Sequence, residues 1–252
     1  MSVMLSVTGL QRSFGGVQAV TSLDLEVSSG EVVGLIGPNG AGKTTAFNLI
    51  AGELRPDAGS IEFEGDNLVG MRPYRIARTG MARTAQHARI FEKMTVLENM
   101  LVGAENRRGA SLRGSLVHPL SNRRSDKRLV DEAVTHLDLV GLTHLSQGFA
   151  GHLSGGQRKL LELARVLMLH PRMLMLDEPA AGVNPTLAIQ IADTLLELRG
   201  RGITMLVIEH NLTFLDRVSD RVVVMAEGRN LMEGTMAQVR QHKEVLSAYL
   251  GI

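Results

Sequence analysis

Residues 37–44, Gly37-Pro38-Asn39-Gly40-Ala41-Gly42-Lys43-Thr44, fit the pattern G-x-x-x-x-G-K-[ST]. The glycines let the backbone wrap closely around an anion, and the N–H groups of such a turn converge on it. Upstream lies a strand-sized apolar run, Val32-Val33-Gly34-Leu35-Ile36; downstream, residues 43–54 read as a helix closed by Gly52, Pro56 and Gly59. Strand, glycine turn and helix form the order a phosphate-binding unit requires, because the helix N-terminus adds its dipole to the cradle. In such a unit Lys43 reaches the β- and γ-phosphates of a nucleotide, and the Thr44 hydroxyl helps to hold Mg²⁺.

Working outward, residues 5–8 and 20–27 alternate as short antiparallel strands, punctuated by Gly9, Gly15 and Gly16. Residues 61–64 give another short strand, and residues 71–101 carry mixed helical patterning. From 104 to 128 the texture turns basic, with Arg107, Arg108, Arg113, Arg123, Arg124, Lys127 and Arg128 against Glu105 and Asp126. That stretch reads as an insertion with two readings open: a solvated surface excursion, or a face for anionic lipid or a permease loop. Helical spacing returns at 129–140 and after Ser154; buried strands at 173–176, 203–208 and 222–225 then enclose a helix at 187–198. Short apolar runs separated by helices predict a parallel sheet covered on both faces. The expected lobe division places residues 1–83 and 170–252 in the sheet-bearing part, and residues 84–169 in a helical one.

The 252 residues are 44% hydrophobic, enough for a substantial core. The absence of cysteine removes disulfides, thiolate metal sites and Cys nucleophiles. With 27 basic residues against 26 acidic ones, the balance argues against nucleic acid as the main partner. No signal peptide is expected at the N-terminus. No apolar run approaches the roughly 20 residues of a membrane-spanning helix, so any spans should come from other chains.

Two further stretches carry chemistry. Met173-Leu174-Met175-Leu176-Asp177-Glu178 is an apolar strand ending in two carboxylates. Beside a phosphate loop, Asp177 would bind Mg²⁺ and Glu178 would polarise the attacking water; alone, the pair reads as a solvated strand end. Leu153-Ser154-Gly155-Gly156-Gln157 opens a helix, and Ser154 with Gln157 makes a capping box. A capping box does not require two consecutive glycines, which weaken a helix start. They suit close approach of another group, and the γ-phosphate of a nucleotide held by a facing subunit fits that helix end.

The ordered set of residues 37–45 with Thr45 at its end, Gln86, residues 153–157, Asp177-Glu178 and His210 resembles the ATP-binding subunits of ABC transporters over nearly the whole chain. The resemblance implies an α/β P-loop NTPase of the ABC ATPase type: an N-terminal antiparallel β-subdomain, a RecA-like parallel core and an inserted helical subdomain. It implies an ATPase coupled to transport, in which two subunits sandwich two nucleotides between the phosphate loop of one and the Ser154 region of the other. Carried over by position, Phe14 stacks on adenine, Gln86 touches Mg²⁺ and water while linking to the membrane partner, and His210 contacts the γ-phosphate. Thr84-Ala85-Gln86-His87, the run from Glu178 through Pro179-Ala180-Ala181-Gly182-Val183-Asn184 to Pro185, Ile208-Glu209-His210 and Ala248-Tyr249-Leu250-Gly251 resemble the branched-chain (hydrophobic) amino acid uptake branch, and the basic insertion at 104–128 is similar to that of the longer of its two paired ATPases, the LivG type. That likeness implies a second ATPase, integral-membrane permeases, an extracytoplasmic binding protein and a place on the cytoplasmic face of the inner membrane. Asn184 and Asn211 stand where aspartates are commoner in the family.

Three alternatives remain open on sequence. Importers of urea or short amides are close relatives; soluble ABC-like ATPases differ by coiled-coil inserts or fused cassettes, neither of which is evident here. A small-molecule kinase shares the phosphate loop but leaves residues 153–157 unexplained.

Overall fold

The computed structural model of the chain describes residues 2–84, 90–105 and 119–250. Ten strands, β1 (Val3–Phe14), β2 (Val17–Ser28), β3 (Val32–Ile36), β4 (Ala58–Phe63), β5 (Asp66–Asn67), β6 (Met81–Arg83), β7 (Met173–Asp177), β8 (Thr204–Ile208), β9 (Arg221–Ala226) and β10 (Arg229–Gly234), form a sheet in the order β5-β4-β1-β2-β10-β9-β3-β8-β7-β6. Pairing is antiparallel from β5 to β2 and parallel from β9 to β6, with β10 antiparallel to β9 and parallel to β2. Strands β3, β7 and β8 are buried along their whole length, as a sheet covered on both faces demands.

The helices are α1 (Lys43–Ile50), α2 (Pro73–Arg78), α3 (Val96–Glu105), α4 (Pro119–Leu139), α5 (Gly155–Leu167), α6 (Pro185–Gly200), α7 (Leu212–Val218), α8 (Met236–Gln241) and α9 (Lys243–Leu250). The chain forms two compact units: Met1–Arg83, Arg172–Ala181 and Leu195–Ile252 in one, Thr84–Pro171 and Gly182–Thr194 in the other. The second unit therefore takes in residues 170–171 and 182–194, for which the sequence predicts a place in the sheet-bearing part. Its core follows helical spacing: Val96, Met100 and Ala104 on α3 are buried, as are Ala133 and Leu137 on α4 and Leu160, Leu161, Ala164 and Leu167 on α5.

Several expectations need adjusting. The N-terminal strands are twelve residues each, far longer than expected. Among the described residues of 71–101, the mixed helical patterning resolves into the short helix α2, the strand β6 and the start of α3. Of the basic stretch, residues 119–128 belong to α4, so its end is regular helix; residues 106–118 lie outside the described part. Among the described residues no helix is long and apolar enough to cross a membrane.

Candidate nucleotide site

Strand register decides which residues meet. Leu35 on β3 pairs with Ile208 on β8, and Ile208 pairs with Asp177 on β7. The chain therefore leaves these three neighbouring strands at one edge, delivering the 37–44 loop, Glu178 and residues 209–211 side by side. Ligands of open parallel sheets bind at that carboxyl edge.

The loop is shaped by backbone requirements. Gly37 and Gly42 have φ of 153° and 96°, and a Cβ would sit 2.1 Å from the Met225 carbonyl at the first and 2.3 Å from the Ala19 carbonyl at the second. Neither position accepts a side chain. Pro38, Asn39, Gly40 and Ala41 make the tip; Asn39 and Gly40 are exposed, and the Ala41 amide closes the turn on the Pro38 carbonyl at 3.2 Å. Lys43 is buried, its Nζ donating to the carbonyls of Gly37 at 2.7 Å and Pro38 at 2.9 Å. Burial lowers its pKa, and the nearby charge of Glu178 opposes the shift. The ammonium is thus held over the cradle by weak acceptors that phosphate oxygens can replace. Thr44 is exposed and Thr45 half-buried on the first turn of α1.

Asp177 ends β7 with its side chain 2% exposed. Desolvation pushes its pKa up; the Arg83 guanidinium, 2.9 Å from Oδ2, opposes this. Arg83 also donates to Asn48 at 2.6 Å, lies 3.3 Å from Glu53 and stacks 4.9 Å from the centroid of Phe47. It thereby ties α1, the end of β6 and Asp177 into one polar cluster, a function not visible from sequence because β6 has only three residues. Glu178 has φ of 49°, uncommon for a side-chain-bearing residue and costing about 1 kcal/mol or more. Its amide donates to the Ile208 carbonyl at 2.9 Å, and its Oε1 lies 2.8 Å from Nε2 of His210. His210 is half exposed, so the pair opens to solvent.

Phe14 ends β1 and is 42% exposed. The Arg12 guanidinium lies 4.8 Å from its ring centroid and is itself fixed by Asp57 at 2.7 Å. Gln86 lies outside the described residues.

The Ser154 region belongs to the second unit. The capping box is present: Gln157 N–H donates to Ser154 Oγ at 3.3 Å, and Ser154 N–H donates to Gln157 Oε1 at 2.9 Å. Ser154 and Gly155 are exposed. The accepting hydroxyl retains its own proton to donate. The two glycines separate cleanly. A Cβ on Gly156 would sit 1.8 Å from a Leu187 methyl, so packing against α6 requires that glycine; a Cβ on Gly155 would meet nothing within 4 Å. The chain's own fold therefore gives no steric reason for Gly155.

Asn184 and Asn211 share a role. Asn184 accepts from the Leu187 amide at 2.9 Å and Asn211 from the Phe214 amide at 3.1 Å, capping α6 and α7. Aspartate would cap equally well, so helix initiation is unharmed by either departure.

The glycine loop between β3 and α1, with the acidic strand end of β7 alongside, defines a P-loop nucleotide-binding unit. The profile of the family described as "ABC transporter" matches residues 20–181. The branched-chain amino acid transport ATP-binding protein LivG of Escherichia coli K12 is 41% identical over 98% of both chains. BraF of Pseudomonas aeruginosa is 40% identical over the same shares, and a probable LivG of Methanocaldococcus jannaschii 37% identical over 98% of this chain and 97% of its own. A nucleotide-free ATP-binding cassette from an ABC transporter superposes with a TM-score of 0.87 at 35% identity, each chain fully covered; a cassette in its ADP conformation gives 0.86 at 34%. The chain belongs to the ABC transporter family, as an ATP-binding and ATP-hydrolysing subunit.

The contrast between the two glycines makes a prediction. Gly156→Ala should lower stability by about 1–3 kcal/mol, read as a lower denaturation midpoint. Gly155→Ala should leave that midpoint unchanged yet weaken ATP-driven association of subunits. Loss of stability in both variants would reduce the motif to a packing device.

Proposed function

We propose that the chain powers an importer of branched-chain or similar hydrophobic amino acids, working at the cytoplasmic face of the membrane with permease subunits, a second ATPase and, indirectly, an extracytoplasmic binding protein. What supports the chemical half is the Glu178–His210 contact of 2.8 Å beside the phosphate loop. The cargo rests on likeness to LivG along 98% of the chain.

In this reading ATP lies with its adenine on Phe14 and its phosphates in the 37–44 loop, with Thr45 on the following helix turn. Lys43 exchanges its two carbonyl partners for phosphate oxygens. Glu178 orients the attacking water and takes up its proton, while His210 holds Glu178 and approaches the γ-phosphate. Gln86 adds a contact to water and the membrane partner. From the facing subunit, Ser154, Gly155, Gly156 and Gln157 close over the same phosphate with a hydroxyl and a helix N-terminus. Phosphoryl transfer depends chiefly on such positioning and charge stabilisation.

Mg²⁺ suits the residues present. The Thr44 hydroxyl and the buried Asp177 carboxylate are hard oxygen donors, and the described residues hold no cluster of three His, Cys, Asp or Glu side chains that would make a self-sufficient cage. Magnesium typically takes one or two protein oxygens and completes its shell with phosphates and water. When bound, it neutralises charge developing on the phosphates.

The test is reconstitution with the permeases in vesicles. Leucine-loaded binding protein should stimulate phosphate release; stimulation by urea or short amides alone would move the cargo assignment.

A further inference from the structure

Glu209 follows the buried strand β8 and directly precedes His210. It is 2% exposed. Its partners among the described residues are backbone amides instead of a cation: Oε1 accepts from Ala180 at 2.6 Å, and Oε2 accepts from His210 at 2.9 Å and Asn211 at 3.2 Å. One carboxylate thus grips the segment that follows Glu178 with one oxygen and the segment that begins at His210 with the other.

Glu178 needs such a grip. Its φ of 49° persists only where surroundings over-determine it. On its near side, its own amide is tied to the Ile208 carbonyl. Pro179 follows and has no N–H to contribute. The next amide is that of Ala180, and Glu209 takes it. The two ties flank Glu178 and both originate from consecutive residues at the end of β8. A cap on α7 is already supplied by Asn211, so helix initiation does not account for an acid here.

We propose that Glu209 is a positioning residue for ATP hydrolysis, setting the Glu178 backbone against His210 so that their side chains meet. This rests on the reading of Glu178 and His210 as the reacting pair. The carboxylate acts as a two-jawed clamp, and each jaw needs an acceptor. Glutamine preserves size but turns one jaw into an N–H₂ donor facing an N–H donor. Aspartate keeps both acceptors and withdraws them by one methylene.

The test measures steady-state phosphate release and ATP-analogue affinity on the full chain carrying Glu209→Gln. Turnover should fall about 10- to 100-fold, the scale of a small misplacement of reacting groups, with analogue affinity unchanged. In a His210→Ala background the same substitution should cost little more, because the contact it sets is already gone. Glu209→Asp should fall between wild type and Gln. Wild-type turnover in Glu209→Gln overturns the proposal, as do parallel losses of affinity and turnover, full additivity with His210→Ala, or failure of both Gln and Asp variants to fold. Glu178→Gln is the control. Wild-type turnover there would remove the reading of the reacting pair itself, whereas a dead Glu178→Gln beside an active Glu209→Gln would remove the clamp alone.

Discussion

Glu178→Gln is expected to lower steady-state ATP turnover by about 10³-fold, within the range for loss of a general base, while ATP remains bound and closed dimers accumulate. Glutamine has nearly the shape of glutamate, so the backbone at φ 49° and the 2.8 Å approach to His210 can survive the change. What disappears is the ability to take a proton from water. Binding depends on the phosphate loop and not on that proton, so the nucleotide should stay and hold the subunits together. Radiolabelled ATP retention and gel filtration check this; turnover equal to wild type would strip Glu178 of its role.

Lys43→Ala is expected to act on binding. In the proposed site the lysine would contribute one charge-assisted contact to the β- and γ-phosphates, worth about 1.5–3 kcal/mol or roughly 10- to 150-fold in Kd. It also anchors the carbonyls of Gly37 and Pro38, so its loss leaves the cradle less ordered before ATP arrives. Equilibrium titration with a fluorescent ATP analogue measures the effect. Unchanged affinity would count against the loop as the phosphate cradle.

Much of this was legible in the sequence because its signals are local. A five-residue apolar run, a glycine turn and a helix sit within about twenty positions, and β3, β7, β8 and β9 appear close to where their apolar runs lie. The full length of the β1–β2 hairpin was not: register shifts at residues 3–5, 7–10, 10–12 and 12–13 interrupt its alternation, so only residues 5–8 and 20–27 read as antiparallel strands. Strand β10 is half-buried at most of its positions and shows no alternation, and α7 has two turns with too few repeats to reveal a face. At the site, charged chemistry at strand ends could be read from Asp177 and Glu178, whereas Arg83 and Glu209 act through partners distant in sequence. The two glycines of residues 155–156 look alike in sequence; only neighbours from residues 183 and 187 distinguish them.

In the proposed ATPase dimer, one chain's Ser154 edge completes another chain's nucleotide pocket. The chain contains no cysteine, so single introduced thiols report without background. Two variants, Asn39→Cys and Ser154→Cys, both in a Glu178→Gln background, are mixed with ATP and Mg²⁺ and treated with a short bifunctional thiol reagent. A covalent product joining one variant to the other, formed with ATP and absent without it, is the predicted result. Absence of that product, with a double-cysteine variant linking only within its own chain, would contradict the shared pocket.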